Sequence, residues 1–227
     1  RDELPETAAP SPGAFEQAVR KLADEGASGI VCINLSAALS ATMQAAQNAA
    51  EAVADDIDVR VVDSRSITCG LGTLVLTAAD LADDGERIDT IVSKVDELSD
   101  RTRVYGVLDT LENLKKGGRI GGAKALVGTM LSIKPLLDLS TGVTEEAGRQ
   151  RTRKKAFGWL RDKIVESGPV ESLSVMHGNA PDIDDFLAML EPHVDVAAIR
   201  LGMIGPVIGA HGGPRVVGVS FLVPPGT

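Results

Sequence analysis

The strongest constraint on the fold is the alternation of short apolar runs with helix-forming stretches in the first hundred residues. Gly29-Ile-Val-Cys-Ile-Asn34 is an apolar run that closes on polar residues. An Ala-rich stretch follows from 41 to 54, and then the strand-like Asp58-Val-Arg-Val-Val-Asp63. A strand, a helix and a second strand in this order form a βαβ unit, whose strands run parallel and need cover on both faces. Before it, Ser11 and Pro12 read as a helix cap and first-turn proline. Phe15, Val19, Leu22 and Ala23 supply the apolar stripe of a helix over 13–25. Helices are also expected over 71–83 and from Ile88 through Leu98.

Beyond residue 100 the spacing becomes unequal. Strands are expected at Arg103–Leu108, Ile133–Leu139, Ser172–His177, Val196–Leu201 and Val216–Val223, with helices around 110–116, 122–131, 150–166 and 181–191. Such a pattern suits a mixed or antiparallel sheet with helices to one side. The expected fold is therefore α/β in two domains: a parallel, Rossmann-like α/β domain over 1–100 and an α+β domain with a mainly antiparallel sheet over 101–227. Residues 1–12, with three prolines, read as an exposed loop.

Composition removes several function classes. With 23 Lys and Arg against 32 Asp and Glu, the net charge is -9, which repels nucleic acid and anionic lipid surfaces. Aromatic residues are 3% of the chain, too few for base-stacking platforms, so aliphatic side chains must build the core. Two cysteines, Cys32 in an apolar run and Cys69 in a Gly-flanked loop, suggest reduced thiols and no metal site. Without an apolar stretch of about 20 residues or a signal-like start, no membrane insertion is expected and the expected location is cytoplasmic.

Three segments carry candidate chemistry. Asn34-Leu-Ser-Ala-Ala-Leu-Ser-Ala-Thr-Met43 joins a strand to its following helix, the edge where open α/β sheets bind ligands. Ser40 there reads as an N-cap. It is either a plain capping serine or, with the free amides after it, part of an anion site. Gly205-Pro-Val-Ile-Gly-Ala-His-Gly-Gly-Pro214 reads as a loop in which backbone approaches a ligand closely, with His211 either a working histidine or an imidazole held in a turn. His177 and His193 read as structural or exposed. The basic Gly-rich turn Lys115–Gly122 lacks the Gly-Lys-Ser/Thr ending of a nucleotide loop. The run Arg149-Gln-Arg-Thr-Arg-Lys-Lys155 puts cations near a helix start, against the helix dipole, and reads as a docking surface or a solvated charge run.

Four segments, in order, resemble signature segments of the DegV family. Thr7-Ala-Ala-Pro-Ser11 is similar to the family's Thr-Ser-x-Pro-Ser, Leu39-Ser-Ala-Thr42 to its Leu-Ser-Gly-Thr, and Gly117-Gly-Arg-Ile120 to its Gly-Gly-Arg-Ile; Gly205-Pro-Val-Ile-Gly-Ala-His211 closes the set. Val62-Asp-Ser-Arg65, Asp109-Thr-Leu-Glu112 and Ile133-Lys-Pro135 also look like family sequence. The resemblance implies a fatty-acid carrier with two domains closing over a buried long-chain fatty acid, no other cofactor, and a fatty acid kinase subunit as partner. It implies that Thr7 and Ser40 hold the carboxylate with His211 beside it, and that Arg119 and Arg149 or Arg151 serve phosphoryl transfer and kinase docking. Two departures stand out. Ala41 replaces the family's usual Gly, keeping the backbone amide but adding a methyl at the anion site. The family's opening strand, with its Asp-Ser-x-x-Asp-Leu stretch, has no counterpart before Arg1, so the expectation is a parallel sheet lacking a member. The rival reading, an acyl-ester hydrolase or transferase with Ser40 as nucleophile and His211 as base, lacks a Gly-x-Ser-x-Gly elbow and an assignable orienting acid.

Overall fold

The computed structural model describes residues 4–126 and 133–226. The chain divides into two compact units. The amino-terminal unit is Ala8–Ile67 with Leu71–Asp100. The carboxy-terminal unit is Arg1–Thr7, Thr68–Gly70 and Arg101–Thr227.

In the amino-terminal unit, α1 (Pro12–Asp24) begins behind Ser11, whose Oγ accepts from the Ala14 amide at 3.2 Å. β1 (Gly29–Asn34), α2 (Thr42–Ala52) and β2 (Asp58–Asp63) form the expected βαβ unit, with β1 and β2 parallel from Gly29↔Asp58 to Asn34↔Asp63. Helices α1 and α2 pack together, and the small face Ala45, Ala46 and Ala49 lets α2 lie close to its neighbours. Then come α3 (Thr68–Asp83), which belongs to this unit from Leu71 onward, and α4 (Ile88–Arg101), which belongs to it through Asp100 and buries Ile91, Val95 and Leu98 at helical spacing.

The carboxy-terminal unit holds β3 (Thr102–Val107), α5 (Glu112–Lys116), a 3-10 turn at Gly121–Leu126, β4 (Lys134–Asp138) and β5 (Glu145–Gln150). It continues with α6 (Arg153–Glu166), β6 (Glu171–His177), α7 (Ile183–Leu190), a second 3-10 turn at Val196–Ala198, β7 (Arg200–Met203), α8 (Pro206–Gly212) and β8 (Val217–Leu222). Its six strands run in the order β5-β4-β3-β8-β6-β7, antiparallel except for the β6–β7 pair. Phe157, Leu160 and Ile164 of α6 and Phe186 and Leu190 of α7 cover Val107, Val175, Val217, Val219 and Phe221 of the sheet. The Phe157 and Phe186 rings lie 5.1 Å apart within this largely aliphatic core, while Tyr105 and Trp159 pack partly buried against it.

The α/β architecture, with a parallel pair in one part and a mostly antiparallel sheet in the other, follows the sequence expectation. Several local readings need correction. The 196–201 run splits into a 3-10 turn and a strand that starts at Arg200. β5 was not foreseen, because Glu145-Glu-Ala-Gly-Arg-Gln150 is an edge strand with no buried face to impose an apolar period. The helix expected over 122–131 corresponds to the turn ending at Leu126; its remainder lies outside the described residues. Cys69 belongs to the first turn of α3, not to a loop. Both cysteines are free, and burial pushes each thiol's pKa up.

Candidate functional site

The carboxy-terminal unit brings two candidate residues together. The segment expected to be a Gly-rich loop folds as α8, with Gly205 as N-cap and Pro206 in the first turn, where a missing amide costs nothing. Its last turn carries His211, and Thr7 meets it: Thr7 Oγ1 lies 2.9 Å from His211 Nε2. The hydroxyl rotates, so it accepts from one imidazole tautomer and donates to the other.

Around the ring the packing is close. α8 rests on α5, and Asn113 Nδ2 donates to the Ala210 carbonyl at 3.0 Å. Gly117, just past α5, faces the imidazole so closely that a Cβ there would sit 2.2 Å from Nδ1. His211 Nδ1 is buried without a hydrogen-bond partner among the described residues. Burial lowers the His211 pKa, and the nearby Arg119 guanidinium adds to that shift, so the neutral ring is favoured. Arg119 follows Gly118, whose φ of +70° is a left-handed conformation suited to glycine, and its Nη1 donates to the Gly117 carbonyl at 2.9 Å. The "Gly-Gly-Arg" turn therefore serves two purposes: its first glycine admits the imidazole and its arginine lies exposed beside it.

Ser40 and Ala41 belong to the amino-terminal unit. The N-cap of α2 is Ala41, one residue later than the sequence suggested, and Ala41 makes no side-chain cap. Ser40 Oγ still accepts from the Thr42 amide at 3.2 Å and shares a hydrogen with Thr42 Oγ1 at 2.8 Å. The result is a half-buried hydroxyl pair at the start of α2, at the carboxyl end of β1. Arg149 is an exposed residue of edge strand β5, opposite Pro135, and Arg151 is exposed between β5 and α6. The basic run thus belongs half to a strand; α6 starts only at Arg153, capped by Thr152. His177 is structural, its Nδ1 accepting from the Ala180 amide at 3.2 Å.

Sequence reasoning missed a charged network at one end of the six-stranded sheet. Arg153, 12% exposed, forks onto Asp182 through Nε (2.8 Å) and Nη2 (2.9 Å) and reaches Asp109 through Nη1 (3.3 Å). Lys134 pairs with Asp109 at 2.8 Å, and Arg215 approaches both carboxylates at 3.4 Å. The Arg153 guanidinium holds the Asp182 pKa below its ordinary value. These five residues are scattered over 107 positions of chain, from 109 to 215, so no local motif announces them. Two recesses lie away from the candidate residues. One, of about 750 Å³, lies between β1 and α3–α4 and is lined by Val31, Ile33, Val75, Ala78 and Ile91. The other, of about 470 Å³, borders the end of α6 and the start of β7. Among the described residues, no group of three or more His, Cys, Asp or Glu is arranged to hold a metal, and no helix is long and apolar enough to cross a membrane.

Fold and site together define a two-unit α/β protein with a hydroxyl–imidazole pair set among glycines. A family model described as an uncharacterised protein of the DegV family matches residues 1–223, and the chain belongs to that family. A DegV domain-containing protein of Streptomyces coelicolor is 39% identical over 94% of this chain and 76% of its own. Among solved structures, a DegV family protein of Thermus thermophilus described for fatty acid binding superposes with a TM-score of 0.86 at 32% identity, covering 97% of this chain and 79% of its own. A fatty-acid-binding DegV family protein of Streptococcus agalactiae gives 0.90 at 25% identity, over 99% and 80%.

Proposed function

We propose that this protein is a carrier that buries a long-chain fatty acid and presents its carboxylate to a partner kinase for acyl-phosphate formation. The observation that carries the reading is the Thr7–His211 pair. When the neutral imidazole donates from Nε2 to Thr7 Oγ1, the threonine hydrogen is free to point at an acceptor, and a carboxylate is the strongest acceptor available. Likeness to structures described for fatty acid binding supports the ligand class. Large apolar side chains also stay open in the same unit: Met203 (72% exposed) and Leu201 on β7, and Val207 one turn before His211 on α8. An alkyl chain gains about 0.8 kcal/mol per buried methylene, so the tail supplies most of the affinity and the polar pair fixes the acid end.

In this proposal Ser40 and the Ala41 backbone amide also serve the carboxylate, while Arg119 and Arg149 or Arg151 face the kinase. The proposal keeps the domains as 1–100 and 101–227, with the second closing over the ligand, and a cytoplasmic location. The chemistry takes place on the bound acid in the partner's active site, not here. A hydrolase would need an acid on His211 Nδ1 to orient the ring, and that nitrogen has no partner among the described residues. The test is His211→Ala, assayed on one preparation for lipid content and for acyl-phosphate formation with a fatty acid kinase. Retention of lipid with impaired phosphorylation is expected; equal losses, or none, would remove His211 from the presenting site.

A further inference from the structure

We propose that Arg153 is a positioning residue for His211, acting through the backbone of Arg215. Arg153 opens α6, where its charge opposes the helix dipole, so its burial there must be stabilised by other contacts. Those contacts are the bidentate fork onto Asp182, the pair with Asp109 and a cation–π contact 4.8 Å above Phe157. Arg153 Nη1 also donates to the Arg215 carbonyl at 2.8 Å, a bond that links this anchored guanidinium to the turn after α8.

That turn is conformationally demanding. Gly213 has φ +77° and Arg215 has φ +59°, and a left-handed non-glycine residue persists only when its surroundings hold it. Three bonds hold this one: the Arg153 bond to its carbonyl, its own amide to the Gly178 carbonyl at 2.9 Å, and the Gly178 amide to the Val216 carbonyl at 2.7 Å. The turn fixes where α8 ends, and His211 lies two residues before Gly213. Asn113 pins the other side of the same helical turn through the Ala210 carbonyl. Arg153 therefore touches no ligand in this account. It sets the place of the imidazole that meets Thr7.

The lipid arm of the test rests on the carrier reading; the imidazole arm does not. Arg153→Lys keeps the charge but cannot fork onto Asp182 and reach the Arg215 carbonyl together. Expected are a displaced pair of His211 ring-nitrogen NMR signals, assigned by their loss in His211→Ala, and a roughly tenfold weaker affinity for palmitate. Asp182→Asn, which weakens the fork and the longer Arg215–Asp182 pair but leaves the Arg153 bond to the Arg215 carbonyl, moves the same signals less and serves if the first variant does not fold. Unmoved His211 signals in a folded Arg153→Lys or Asp182→Asn protein would overturn the proposal. Failure of the wild-type protein to bind any fatty acid would defeat the carrier reading instead, leaving the ring signals to decide the role of Arg153.

Discussion

Replacing Gly117 with alanine tests the site at its tightest contact. The backbone there has φ -78°, open to any residue, so the substitution acts only through its new methyl. That Cβ would lie 2.2 Å from His211 Nδ1 and 2.8 Å from its Cε1, whereas ordinary contact begins near 3.4 Å. The imidazole must retreat by about 3.4 − 2.2 = 1.2 Å, and a rigid ring moved that far cannot keep the 2.9 Å bond from Nε2 to Thr7. Loss of one neutral hydrogen bond is worth about 0.5–1.5 kcal/mol, or roughly two- to tenfold in fatty-acid affinity. Folding stability should fall, because a methyl forced into a packed site costs about 1–3 kcal/mol, of which the restricted unfolded chain offsets about 0.4–1 kcal/mol. Calorimetric titration with palmitate beside a thermal melt measures both quantities. Wild-type affinity together with unmoved His211 ring signals would refute the reasoning.

Two further outcomes are expected. Ser40→Ala should weaken fatty-acid retention by about 1.5–3 kcal/mol if the hydroxyl bonds a carboxylate, with the fold intact by circular dichroism; full retention would remove Ser40 from the site. The lowered His211 pKa makes the unfolded chain bind more protons than the folded one between the depressed value and about 6.5. Stability relative to His211→Ala should therefore rise with pH through that window, be fully present above it, and be lost as pH falls toward the folded value. Melts of both proteins across this range that show a flat or opposite trend would contradict the direction.

Much of the fold was legible because each βαβ element announces itself locally: the apolar run at 29–34, the small-residue helix after it, and the alternation at 58–63. Edge strand β5 was not, since an edge with polar faces has no hydrophobic period to read. The α8 segment misled for a related reason. Four glycines and two prolines between 205 and 214 spell loop by propensity, yet Pro206 sits harmlessly at the helix start and packing on α5 holds the rest. In the site, His211 and Arg119 stood out through their Gly-rich settings, and Thr7 through resemblance alone. What local sequence could not convey was who meets whom: that Thr7 bonds a histidine 204 residues away, or that Arg153 joins Asp109, Asp182 and the Arg215 carbonyl.

Mass spectrometry of an organic extract from freshly purified protein bears most directly on the central claim. The account predicts a long-chain fatty acid in near-equimolar amount, unesterified and chemically unchanged, and depleted from a Thr7→Ala, Ser40→Ala double variant that melts like the wild type. Protein that carries no fatty acid and takes up none when palmitate is supplied would contradict it.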